Sequence, residues 1–189
     1  TDLVEMSTAQ LAALSTAQFA AFETSQLTAL TTTQIASLGT AQLASLTTSD
    51  LVALDSGQFA ALTTRQIAGL TTGQIAALES ADLVELSTSQ IRALTTAQVA
   101  ALGTTQVADL TSTQVAALST GQVRALGTAA IGALETTDLV EMGTAQLAAL
   151  STAQFAAFET SQLTALTTAQ LASLSTTLLA SLPTSDLVA

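Results

Sequence analysis

Residues 7–14 read STAQLAAL, and the chain repeats that octapeptide from end to end. Numbered from Ser7, the general form is x–Thr–x–Gln–Φ–small–small–Leu, where Φ is Leu, Ile, Val or Phe. Self-similarity at a fixed period decides architecture before any local propensity does. Position 2 is Thr or Ser at all 23 occurrences, and position 5 is apolar at all 24. Position 8 is Leu except at Met6, Phe22, Met142 and Phe158. Position 4 is Gln at 17 of 24, the others being five Asp, Ala130 and Leu178.

Apolar residues at positions 5 and 8 are spaced by three and then five, whereas a continuous amphipathic helix needs threes and fours. Eight residues turn a helix through about 800°, so the stripe would drift by about 80° per octad. One long helix is excluded. Thr and the run Val99, Val107, Val115 and Val123 lean toward strands. Ala at positions 6 and 7, Gln at position 4 and Leu at position 8 are helix formers, and the chain has no Asn for tight corners. The pattern therefore predicts an all-α fold: a tightly wound α-solenoid of very short helices, one per eight-residue repeat.

Within each octad the invariant hydroxyl at position 2 is expected to be the N-cap, with helix from position 3 to position 8, about 9 Å long. A capping box from Ser15 to Gln18, with Leu14 and Phe19 as a staple, is the other assignment. Position 1, however, also holds Glu23, Glu79, Glu135, Glu159 and Pro183, which cap poorly. Gly39, Gly103, Gly127 and Gly143 at position 1 are expected just past the preceding helix, in a left-handed conformation. Helices this short are unstable alone. Positions 5 and 8 share a face that must pack on other octads, with Gln at its edge bonding to exposed helix ends nearby.

No linker interrupts the array, so residues 1–189 are expected to form one continuous domain of about 24 octads, cut from a longer array. Residues 1–53 match 137–189 at 46 of 53 positions, a block duplication offset by 17 octads. Aromatic content is 3%, and there is no Trp, Tyr, His, Cys or Lys. A net charge of −11 opposes nucleic-acid binding and attachment to anionic membranes. Mean hydropathy is +0.55, yet the longest apolar runs are too short for a membrane span.

Asp2, Asp50, Asp82, Asp138 and Asp186 replace Gln at position 4, each followed by Leu and then Val. The Val is expected to fill space that Gln otherwise covers. Asp2/Glu5, Asp82/Glu85 and Asp138/Glu141 form i, i+3 carboxylate pairs, expected on a solvated acidic edge; general acid–base work or a hard cation is the sharper use of such pairs. No His or Lys is present to activate a hydroxyl. Phe19, Phe22, Phe59, Phe155 and Phe158 fall on core positions. Gly69, Gly73 and Gly132 read as small-residue substitutions. A stacked Thr ladder resembles some ice-binding solenoids, but as N-caps those hydroxyls would turn toward the backbone. The reading assigns no catalytic, cofactor-binding or metal residue, and no enzyme activity.

The runs LTTRQIAGLTTGQIAAL (residues 62–78) and LTTAQVAALGTTQVADL (residues 94–110) resemble the octapeptide arrays of very large bacterial secreted or surface proteins, often described as adhesin-like or haem-utilisation-like. The resemblance implies an extended structural role, as a stalk or filament, outside the cell or at its surface. It brings no haem ligand, since the usual axial residues are absent. The expected partners are neighbouring repeats of the parent chain or further copies, stacked end to end. The other function the pattern carries is a repeat scaffold that binds a protein, a glycan or an ice surface.

Overall fold

The computed structural model describes residues 3–182. Those residues hold 22 helices and no strand, from α1 (Thr8–Ala12) to α22 (Thr176–Leu179), one in each octad. They divide into two compact units, Thr1–Leu94 and Thr95–Ala189.

The helix begins one residue before the expected start. Ser7 is the N-cap of α1, with extended backbone (φ −65°, ψ 156°), and Thr8 is the first helical residue. The Ser7 hydroxyl accepts from Gln10 N–H at 3.3 Å, and Ser7 N–H donates to Gln10 Oε1 at 2.8 Å. The same reciprocal box joins Ser15 to Gln18 and Thr31 to Gln34. The assignment of the cap to position 2 is thus overturned in favour of position 1. Gln supplies half of the box from its own side chain, so position 1 needs only an extended backbone and a free N–H. Hence Glu23 donates to Gln26 Oε1 at 2.8 Å without capping with its own side chain. Gly39 does the same to Gln42 at 2.8 Å.

The expected left-handed glycines are also corrected. Gly39 lies at φ −70°, ψ 148°, and no described residue has positive φ. Helices end between position 5 and position 7, not at 8. In α4 (Thr32–Ser37) the chain is already extended at Leu38 (φ −65°, ψ 146°), whose N–H bonds back to Ile35 O at 3.2 Å. Position 8 therefore turns its Leu inward from the link between helices.

In the first unit helices pack on the one three octads away. So α1 packs on α4, and α4 on α7 (Ser56–Ala60). The series α5 (Thr40–Ala44), α8 (Thr64–Gly69) and α11 (Thr88–Ala93) stacks the same way. In the second unit, α14 (Ser112–Ala117), α17 (Thr136–Glu141) and α20 (Thr160–Ala165) form one such column. One coil of each α-solenoid therefore takes three octads, or 24 residues. Positions 5 and 8 fill the interior: Leu43, Phe59, Ile67 and Val115 are wholly buried. Positions 1 to 3 face solvent. Position 7 lies against position 2 of the octad three earlier, as Ser45 Oγ does on Thr16 O at 3.4 Å. That contact favours a small residue at position 7, which is Ala, Ser or Gly except at Glu5, Glu85, Asp109 and Glu141.

Candidate functional site: the glutamine seam and its aspartate variants

Position 4 is the most informative site. In the first coil of the first unit Gln10 and Gln18 are exposed; from Gln34 onward each described Gln of the seam is buried, because a coil now lies beneath it. Its amide nitrogen reaches the carboxyl end of the helix four octads earlier. Gln34 Nε2 donates to Leu3, Val4 and Met6 carbonyls at 3.1, 3.1 and 2.9 Å. Gln66 bonds Ile35 O at 2.8 Å and Leu38 O at 2.9 Å. In the second unit Gln170 bonds Leu139 O at 2.7 Å and Met142 O at 2.8 Å. One side chain thus caps its own helix with Oε1 and satisfies orphan carbonyls of another with Nε2. The expected bonding of Gln to nearby helix ends is realised, across the coil. Each such bond contributes about 1 kcal/mol net, and leaving its buried partners unmet costs more.

Aspartate changes the wiring. On α6 (Thr48–Val52), Asp50 Oδ1 accepts from Thr24 Oγ1 at 2.7 Å and Oδ2 from Thr47 Oγ1 at 2.5 Å. Those two hydroxyls hold its carboxyl below the usual carboxylate range. On α17, Asp138 Oδ1 accepts from Ser112 Oγ at 2.8 Å and Oδ2 from Glu135 N–H at 3.2 Å. Thr24 and Ser112 occupy the same place, position 2 of the octad three earlier. Asp82, on α10 (Ser80–Val84), has Ser56 at that place, yet its Oδ2 is buried with no hydrogen-bond partner. Burial raises its pKa, with Glu79 adding to the rise through its charge and opposing it through a backbone hydrogen bond.

The carboxylate pairs do not share a solvated edge. Asp82 and Asp138 are buried in the seam, while Glu85 and Glu141 point to solvent. Nor does Val replace Gln in the interior, since Val84 and Val140 are exposed. Asp2 and Asp186 lie outside the described residues. Phe19, Phe59, Phe155 and Phe158 are core, as expected, and Phe22 is half-buried. Phe19 meets Phe22 edge-to-face at 5.4 Å, and Phe155 meets Phe158 at 5.5 Å. Gly69 and Gly132 are more than small substitutions, because both mark close approaches between stacked helices. One groove between stacked helices is lined by Ser112, Thr113, Thr137, Val140 and Glu141, and another takes in Arg65 beside Thr40, Thr63 and Gln66.

No group of three metal-ligating side chains gathers among the described residues. None of their helices is long and apolar enough to cross a membrane. A family model described as the ALTTAQ repeat matches residues 1–32, 19–53, 44–80, 75–112, 110–137 and 131–168. The hexapeptide of that description stands at residues 93–98 and 165–170. It runs from the end of one helix through the N-cap to the seam Gln of the next. A comparison with curated proteins gives no match.

Proposed function

Because the chain belongs to the ALTTAQ repeat family, we propose that it is a structural repeat segment: a stretch of rod or fibre in a secreted or cell-surface bacterial protein, acting without catalysis. The observation that carries this reading is the glutamine seam. Its bonds recur in the octads that carry Gln from Gln34 onward, so each coil provides the acceptors that the next one needs. Such an arrangement propagates along one direction and builds no pocket. The outward positions support it, since Thr, Ser, Ala and Gly dominate them and give little for a specific ligand to distinguish.

The proposal includes axial self-association. Position 5 is fully buried where a coil covers it, but Leu171 is 44% exposed and Leu179 37%. Further octads, from the parent chain or a second copy, would cover them as Ile67 and Val115 are covered. Secretion rests on the resemblance to bacterial surface arrays and is tested by protease treatment of intact source cells. A protein degraded without lysis supports a surface location, and one protected until lysis overturns it.

Small-angle scattering on chains lengthened by whole coils tests the rod. Each added 24 residues should extend the particle by about 9 Å, one helix–helix spacing, at constant cross-section. Growth of the cross-section instead would overturn it. One observation favours a second reading, a scaffold for a glycan or ice surface: Thr24, Thr48 and Thr72 stand exposed in stacked octads, none of them an N-cap. Thermal hysteresis of the chain in freezing water decides that reading.

A further inference from the structure

The orphaned oxygen of Asp82 sits in a seam built for a positive partner. In the seam's regular form an amide NH2 group faces the carbonyls 31, 30 and 28 residues earlier, as Gln58 Nε2 does to Leu27, Thr28 and Leu30 at 3.3, 3.2 and 2.7 Å. For Asp82 the same offsets designate Leu51, Val52 and Leu54. The Leu51 carbonyl accepts only from Leu54 N–H, at 3.2 Å, which leaves it a second lone pair. No donor reaches the carbonyls of Val52 and Leu54. At this place in the seam the donor has been replaced by an acceptor.

Asp50 and Asp138 escape this conflict by taking a hydroxyl from the octad three earlier. Ser56 holds that place relative to Asp82, 26 residues back, yet Asp82 Oδ2 remains without a partner. Asp82 is 7% exposed, so bulk water does not satisfy it. Asp is one methylene shorter than Gln, so its oxygens stop about 1.5 Å short of the point an amide nitrogen reaches. Added to a usual N–H···O distance of about 2.9 Å, that shortfall comes to roughly 4 Å between carboxylate and carbonyl oxygens, a span that a hard cation with metal–oxygen distances near 2.4 Å bridges. Asp55 and Glu79, the N-caps of α7 and α10, add negative charge from the two stacked helices.

We propose that Asp82 and the carbonyls of Leu51, Val52 and Leu54 form a calcium site that clasps one coil of the first unit to the coil before it. The ligand set is hard and all-oxygen, three neutral carbonyls and one carboxylate, with water completing the six to eight positions Ca²⁺ requires. One carboxylate gives a weak site, with Kd on the order of 10⁻⁴–10⁻³ M. Mg²⁺, which demands a tighter octahedral shell, should bind it poorly. This inference is independent of the rod reading, since a clasp of this kind serves a binding scaffold equally.

The test is calorimetric titration of the whole chain with CaCl2 in a chelator-stripped buffer, beside Asp82→Gln and Asp82→Asn. Gln is the residue this position holds in most octads, so Asp82→Gln should fold, as circular dichroism will verify. The expected result is a binding isotherm for the wild type that both substitutions remove, with Ca²⁺ slowing exchange of the Leu54 and Leu86 amides at least threefold in the wild type alone. Absence of wild-type binding at 10-fold above the expected Kd would overturn the site. So would calcium binding that survives both substitutions, which would be adsorption to the acidic surface.

Discussion

Gly132 lies so close beneath the carbonyl of Ala157 that a Cβ built on it would stand 2.9 Å from that oxygen. The oxygen belongs to backbone following α19 (Thr152–Phe155), a helix of only four residues, and cannot rotate away. Gly132→Ala is expected to destabilise the second unit by about 1–3 kcal/mol, the usual cost of forcing extra volume into a packed contact. Gly73 provides the contrast: its nearest neighbour would be Thr71 Oγ1 at 4.0 Å. Gly73→Ala should stabilise by about 0.5–1 kcal/mol, because Gly weakens a helix where nothing requires it. Urea denaturation of both variants checks the difference in sign.

Gln66 and Gln18 carry the same box to their own N-caps, but only Gln66 also bonds a previous coil. Gln66→Ala should cost about 2–3 kcal/mol through buried groups left unpaired, and Gln18→Ala no more than about 1 kcal/mol. Hydrogen exchange at Thr63 and Ser15, the two amides that Gln Oε1 accepts from, separates the seam's contribution from the cap's.

The octad at residues 127–134 already contains the experiment in reverse. Ala130 stands where the seam Gln belongs, and its N-cap, Gly127, makes no side-chain cap bond. Ala130→Gln is expected to stabilise the second unit by about 1–2 kcal/mol, supplying an acceptor for Gly127 N–H and a donor to the carbonyls beneath. An unchanged denaturation midpoint would mean that the seam tolerates an empty position at no cost.

Asp50 and Asp82 should respond to acid in opposite directions, measured without calcium. The pKa of Asp50 is lowered by hydroxyls from Thr47 and Thr24, with Glu23 the acidic neighbour at the start of α3 (Thr24–Thr28). Its contribution to stability is present above the unfolded-state pKa and lost as pH falls through the folded one. The pKa of Asp82 is raised, with Glu79 on its own element and Asp55 on the helix packed against it. Its contribution is full below the unfolded pKa and lost as pH rises through the folded value. Asp50→Asn should therefore lower the denaturation midpoint at pH 7, and Asp82→Asn should raise it. The Asp82 difference should be gone once pH falls below the ordinary aspartate range, and the Asp50 difference should persist to lower pH.

Much of the fold was legible in the octad. Leu11 and Leu14 fall on the inner positions because their spacing leaves no other buried face, and Gln announces a bonding role by its recurrence beside them. The cap was misread for a physical reason. Thr8 is invariant in kind and Ser7 is not, yet the variable residue caps, because Gln10 completes the box whatever stands at position 1. The invariant position instead faces the small residue of a stacked helix. The three-octad coil was not legible, since it follows from how facing side chains meet and not from the order of residues within one repeat. Burial of Asp82 was hidden likewise: its coil partners lie about thirty residues away, beyond any local pattern.

The seam also bears on how such a chain lengthens. Helices meet three octads apart while their Gln side chains reach back four, so every relation is counted in octads and none in coils. Residues 1–53 and 137–189 are duplicates set 17 octads apart, which is not a whole number of three-octad coils. Phe155 nevertheless meets Phe158 as Phe19 meets Phe22. No side of the coil is privileged, and insertion or loss of a single octad leaves each remaining helix an equivalent set of neighbours. A chain lacking residues 63–70 should keep its helical circular dichroism, whereas one lacking residues 63–66 should lose cooperativity. Recombination within the gene can thus shift the array by any multiple of eight residues and still return a folded protein, a tolerance that makes length itself the variable on which selection acts.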